Sequence, residues 1–287
     1  MGHPRMIISC LNQFMNRKVL LISLLLSGTS FATTLAVIRT PKGVFVAADS
    51  YRISWGKDTG PFCKIMQVNE SFIALAGTPD IEVRENNKPR VDLSFHALPF
   101  AKHSAQTKGT MIAKGASFVA LAMEPFKRSV EVFKQTAPER YQKELLGHAQ
   151  SHEVVFFGMN PNNIPAFEVV DFGVSEDGKG QVIVSPSFIA CPSPTCGDDT
   201  NQLAILGANE RAKVASQDPR FFTGDGATDV RRLVEIEIAN RPDVVKAPVD
   251  VMQVTVLGAT WIYRKPQCAD IQPYSPPSSR QSRKRAK

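Results

Sequence analysis

The stretch TTLAVIRTPKGVFVAADS (residues 33–50) decides how the rest of the chain is read. Two runs rich in Val, Ile, Phe and Ala flank Pro41, Lys42 and Gly43, a turn signal, so the segment predicts a β-hairpin covered on at least one face. The residues in front of it sharpen the question. Met15–Lys18 is basic, Val19–Leu26 is apolar but too short to span a bilayer comfortably, and Ser30 and Ala32 are small residues spaced as in a leader cleavage site. A cut between Ala32 and Thr33 would make threonine the first residue of an exported protein, periplasmic or secreted. Met15 is an alternative start, with residues 1–14 as an extension. The rival to cleavage is a leader kept as a membrane anchor.

An N-terminal threonine supplies a nucleophile and a base on one residue. Its hydroxyl attacks, and its free α-amine, with an ordinary pKa of about 7.7–8.0, accepts the proton. One extra residue ahead of it would turn the amine into an amide without useful basicity. The hydroxyl needs a cation to stabilise its alkoxide and a carboxylate to hold that cation. It also needs a backbone N–H for the oxyanion of the attacked carbonyl. Asp49 at the end of the second strand, Lys64 at the start of CKIMQV and Gly77 at the end of SFIALAG are the candidates. Taken singly, a strand-end Asp, a strand-side Lys and a turn Gly are ordinary surface features. Their joint pattern carries the reading.

The rest of the chain suits one large domain (33–266) between an extension with its leader (1–32) and a disordered basic tail (267–287). Its 43% hydrophobic and 21% charged residues are a globular balance. The net charge of +7 is set by the ends: losing Arg5, Arg17 and Lys18 with the leader leaves +4, and the five basic residues of SSRQSRKRAK leave the body near −1. A solvated terminus explains such a tail better than nucleic-acid binding does, and the scattered aromatics show no basic interleaved stripe. No span is expected once the leader is gone. Of five cysteines, Cys10 goes with the leader, and an even four suits an oxidising compartment. Cys191 and Cys196 would clasp a loop, leaving Cys63 and Cys268 as a pair by elimination.

SFIALAG pairs with CKIMQVN as a second hairpin, whereas residues 78–106 show no clear period. Residues 110–135 repeat apolar positions at helical spacing through Pro125, and PERYQKELLGHA reads as a second helix. EVVFFGMN, PAFEVVDFGV, GQVIVSPSFI and QLAILG follow as strands, ANERAKVASQ and ATDVRRLVEIEIANRP as helices, and PVDVMQVTVLGATWIYR as two closing strands. Strands, helices, strands, helices, strands in that order favour antiparallel sheets with helices outside over a parallel βαβ series. His148 and His152 lack the glutamate of a zinc-protease helix and read as core or surface. Gly224–Gly226 is a turn, not a phosphate loop, and no GxSxG motif is present. No metal or organic cofactor is expected.

The opening TTLAVIRTPKGVFVAADSYRI, with CKIMQVNESFIALAG, resembles proteasome β-type subunits of the N-terminal nucleophile hydrolase superfamily, over residues 33–78. A looser likeness continues at VVFFGMNPNNIPAFEVVDFG, ILGANERA and PVDVMQVTVLG. Residues 80–150 and those after Pro266 have little counterpart. The resemblance implies a four-layer αββα sandwich, two antiparallel sheets face to face with helices outside. It implies Thr33 as nucleophile and base, Asp49 and Lys64 as its charged partners and Gly77 as the oxyanion donor. Asn209 stands where the family has a serine beside the nucleophile, and Asp243 in RPDVVKAPVD stands for the family's acid near the amine, without its serine and with Lys246 added. The sixteen residues from Thr33 to Asp49 match the family spacing, while the match at Leu35-Ala36 would, by a one-residue slip, align Thr33 with the family's second threonine. The expected activity is cleavage of a peptide or smaller amide through an acyl-enzyme. The alternative is a non-catalytic secreted binding or assembly protein of the same fold. The family's rings make a homo-oligomer an option, but a leader in place of an autolysed propeptide means that ring assembly does not follow.

Overall fold

The computed structural model of the protein describes residues 33–54, 57–85, 88–147 and 152–268. The expected leader, the tail beyond Cys268 and His148 lie outside the described residues, as do the side chains of Arg52 and Ile53, around which pocket walls were expected.

Ten strands carry the architecture: β1 (Thr34–Thr40), β2 (Gly43–Ala48), β3 (Ile65–Val68), β4 (Ser71–Gly77), β5 (His152–Met159), β6 (Pro165–Glu176), β7 (Val182–Cys191), β8 (Gln202–Gly207), β9 (Asp250–Thr255) and β10 (Gly258–Tyr263). They form two five-stranded sheets, ordered β8-β1-β2-β9-β10 and β7-β6-β5-β4-β3, and every pairing within them is antiparallel. The helices are α1 (Ala97–Ala105), α2 (Met111–Thr136), α3 (Pro138–Glu144), α4 (Glu210–Ala215) and α5 (Gly226–Asn240).

The hairpin of residues 33–50 explains how the layers stack. In register Leu35 opposite Ala48 through Thr40 opposite Gly43, alternate side chains leave opposite faces. Leu35, Val37, Val44 and Val46 share one core with Phe72, Ala74, Val155, Phe157 and Val169 of the other sheet. Ala36, Ile38, Phe45 and Ala47 pack instead on Val230, Leu233 and Val234 of α5. The outer face of the second sheet, with Ile73, Leu75, Val154, Phe156 and Phe172, is covered by Phe118, Phe126 and Val130 of α2. Burying each such side chain is worth about 1.5–3 kcal/mol. The chain is thus a mixed α+β protein whose two antiparallel sheets share a core and carry helices on their outer faces, compatible with a sandwich.

Two local features of the helices bear on the sequence reading, the first as a difference from it and the second in agreement with it. Residues 97–105, inside the stretch without a clear period, are helix α1. Its first residue follows His96, which makes no side-chain cap bond, so the usual start signal is missing, and Pro99 sits in the first turn, where its lack of an N–H is harmless. Pro125 lies within α2 without ending it. It is on the exposed face, where water can satisfy the carbonyl that loses its donor.

Both expected cysteine pairs are disulfides, Cys63–Cys268 and Cys191–Cys196. Cys268 is buried, in a short 3-10 turn that ends the described chain. Among the described residues no helix is long and apolar enough to cross a membrane.

Candidate active site

Antiparallel pairing brings the start of β1 and the end of β2 to one corner of the first sheet. There the Asp49 amide donates to Thr34 O at 3.2 Å, and the Thr34 amide donates to Asp49 Oδ1 at 2.9 Å. The same carboxylate oxygen receives the Lys64 ammonium at 2.5 Å, and Lys64 Nζ also donates to Thr33 Oγ1 at 3.0 Å. Asp49 and Lys64 are both buried. Burial is the larger influence on Lys64 and pulls its pKa down to about 8. The Asp49 carboxylate opposes that pull, Lys265 adds to it and Asp250 opposes it.

The two threonines are used differently. Thr33 presents its hydroxyl to the ammonium, while Thr34 spends its hydroxyl on Ala208 O at 2.7 Å. Of the two hydroxyls, it is that of Thr33 that meets the ammonium. The backbone of Thr33 is fixed in turn by the Ala208 amide, which donates to Thr33 O at 2.7 Å. Gly207, at φ 70°, allows this approach: a Cβ on it would stand 1.9 Å from Thr33 O and 3.7 Å from the Gly77 nitrogen. Gly77 ends β4 at φ 68°, so its backbone nitrogen belongs to the same corner as Thr33.

The side chains of Asn209 and Asp243 bond elsewhere. The Asn209 amide donates to Ile205 O at 3.1 Å, in the backbone of β8. Asp243 is at the surface, its side chain 66% exposed and paired with Arg241 at 3.4 Å. The loop that carries Asp243 reaches the site through its backbone instead, since Lys246 O accepts from the Ser50 amide at 3.1 Å. Spacing alone could place Asp243 in that loop but not choose which of its atoms faces inward.

Two further groups had no local signal. Asp250 and Lys265 form a second buried ion pair, 2.9 Å apart, beside the first. A row of polar side chains also crosses the second sheet in register, Glu153 opposite Asp171 and Asp171 opposite Ser187. Glu153 Oε2 accepts from the Gly207 amide at 2.7 Å. Burial, reinforced by Asp171, raises the Glu153 pKa to about 8, and burial raises Asp171 to about 7. Both read from sequence as ordinary strand residues, because nothing local says which polar strand positions face inward.

His152 is fully buried among Phe95, Phe118, Phe126 and Phe172. Burial lowers its pKa to about 4, so it is a neutral core residue. Among the described residues no group of three His, Cys, Asp or Glu side chains is arranged to hold a metal ion.

Neither a protein-family model nor a curated protein sequence matches this chain.

Proposed function

We propose that the protein is an exported threonine hydrolase of the N-terminal nucleophile type, with the αββα fold of that superfamily, which cleaves a peptide or smaller amide bond. The observation that carries this reading is the bonding of one buried ammonium, Lys64, to both Thr33 Oγ1 and Asp49 Oδ1. Two sheets that share a core and the likeness of residues 33–78 to proteasome β-type subunits support it. So do the disulfides, which suit an oxidising compartment.

In this reading leader cleavage frees the Thr33 amine. The amine takes the hydroxyl proton while Lys64 stabilises the developing alkoxide, and Oγ1 attacks the substrate carbonyl. The Gly77 N–H receives the tetrahedral oxyanion. The amine then protonates the leaving nitrogen, the C–N bond breaks and an ester to Thr33 remains. Water hydrolyses that ester by the reverse proton path.

The second reading, a non-catalytic binding or assembly protein, draws on the positions of Asn209 and Asp243, whose side chains bond elsewhere. Two measurements separate them. Intact mass and N-terminal sequencing of the exported protein should give threonine 33 first. A threonine-directed electrophile should label wild type and not Thr33→Ala. A retained leader, a start at Thr34 or beyond, or equal labelling of the two proteins would reject the enzyme reading.

A further inference from the structure

Lys64 is not held by a strand. Residues 62–64 have no regular structure between Pro61 and Ile65, where β3 begins, yet Lys64 must place its ammonium between two oxygens. The residues around it show what fixes the segment. The Phe62 amide donates to Ser50 O at 2.7 Å, next to Asp49. Two further ties come from the C-terminal end of the domain. Lys265 Nζ donates to Phe62 O at 2.8 Å, and Cys63, the residue before Lys64, is bonded to Cys268.

That C-terminal segment is itself rigidly anchored. The Lys265 amide donates to Asp250 Oδ1 at 2.8 Å and its ammonium pairs with Asp250 Oδ2. Both residues are almost fully buried, and Asp250 lies in β9 opposite Ala48, the residue before Asp49. Arg264 stacks over Trp261 at 5.2 Å and donates to Cys268 O. The chain from Lys64 through the disulfide to Lys265, Asp250 and the end of β2 therefore closes a loop of contacts around the Lys64–Asp49 pair.

We propose that the segment Arg264–Cys268 is a clamp that positions Lys64, acting through Lys265 and the Cys63–Cys268 disulfide, and that it makes the reactivity of Thr33 depend on the oxidation state of that disulfide. Lys265 and the two cysteines are positioning residues, since they are argued to act through Lys64. The inference rests on the hydrolase reading for its link to reactivity, and on geometry alone for the clamp. Misplacing a catalytic cation by about 1 Å costs on the order of 100-fold in rate, so loss of the clamp should be visible in the chemical step.

The experiment uses the mature protein, residues 33–287, carrying Cys191→Ser/Cys196→Ser so that one disulfide remains. Dithiothreitol reduces it: the S–S bond takes up two electrons and two protons to give two thiols, and the reagent becomes its cyclic disulfide. Inactivation by a threonine-directed electrophile is then resolved into its binding constant and its maximal rate, with backbone hydrogen exchange of residues 62–66 measured alongside. Reduction should slow the maximal rate at least tenfold, leave the binding constant within twofold and deprotect those amides. The double variant Lys265→Met/Asp250→Asn, which removes both charges of the pair and keeps its size, should do the same with the disulfide intact. Unchanged rate and protection on reduction would overturn the clamp, as would a change only in the binding constant. If the oxidised protein is never labelled at Thr33 but reduction still deprotects residues 62–66, the clamp stands and the hydrolase reading fails.

Discussion

The ammonium of Lys64 stands 3.0 Å from the hydroxyl of Thr33, although 31 residues separate them in the chain. The contact spans two sheets: Thr33 leads into the first through β1, and Lys64 leads into the second through β3. The site is therefore a product of how the sheets face each other, and substitutions that test it act on that meeting point.

Removing the cation should separate chemistry from stability. Lys64→Ala is expected to slow Thr33 labelling by about 10²–10⁴-fold. It also leaves Asp49 buried without its counter-charge, a loss of about 3–5 kcal/mol. The double variant Lys64→Ala/Asp49→Ala should be less destabilised in urea unfolding than Lys64→Ala alone, because it strands no charge. A double variant less stable than the single one would show that the pair is not the unit described.

The pH profile should carry the signature of a buried ammonium. Lys64 titrates at about 8, below the usual value for a lysine, because of burial. The ammonium is present below that pH and lost above it. The maximal labelling rate should fall as pH rises through about 8, and in Asp49→Asn the same decline should begin at lower pH, since the carboxylate holds the proton on. A rate that climbs steadily to pH 10 would place the functional cation elsewhere.

Gly207 offers a steric test. In Gly207→Ala the new methyl meets Thr33 O, and the left-handed backbone adds about 1–2 kcal/mol for a residue with a Cβ. Labelling should drop at least tenfold, with a melting temperature lower by about 2–4 °C for each kcal/mol lost. Gly178→Ala is the control: a Cβ there has nothing within 4 Å, so it should stay within about 0.5 kcal/mol of wild type.

The row beneath Gly207 should make stability depend on pH. Glu153 has a folded pKa of about 8, raised by burial from the ordinary 4.5. The folded state therefore holds more protons than the unfolded state between those values. The stabilisation is complete below about pH 4.5 and declines until about pH 8. Urea unfolding should show stability falling across that window, and Glu153→Gln should flatten the slope while keeping an oxygen for the Gly207 amide. An identical slope in the variant would assign the dependence to other groups.

The hairpins, the long helix through Pro125 and both disulfide pairs were legible in the sequence because each has a local cause: a turn between apolar runs, a helical period, an even count of cysteines. Helix α1 was not, since its cap is silent and its period is interrupted by proline. Within the site, Thr33, Asp49, Lys64 and Gly77 were legible from residue type at strand ends and from the resemblance. Asn209 and Asp243 were named by position, but their side chains turn to Ile205 and Arg241.

The sequence by itself determined the main strands of the two sheets, and hence which reactive groups lie near their tips. Only the tertiary structure decided which tips meet. A strand's alternation says which side chains share a face, not what the face packs against. Asp250 with Lys265, and Glu153 with Gly207, come from separate stretches of chain. They are joined by sheet register and by packing, which no local pattern encodes.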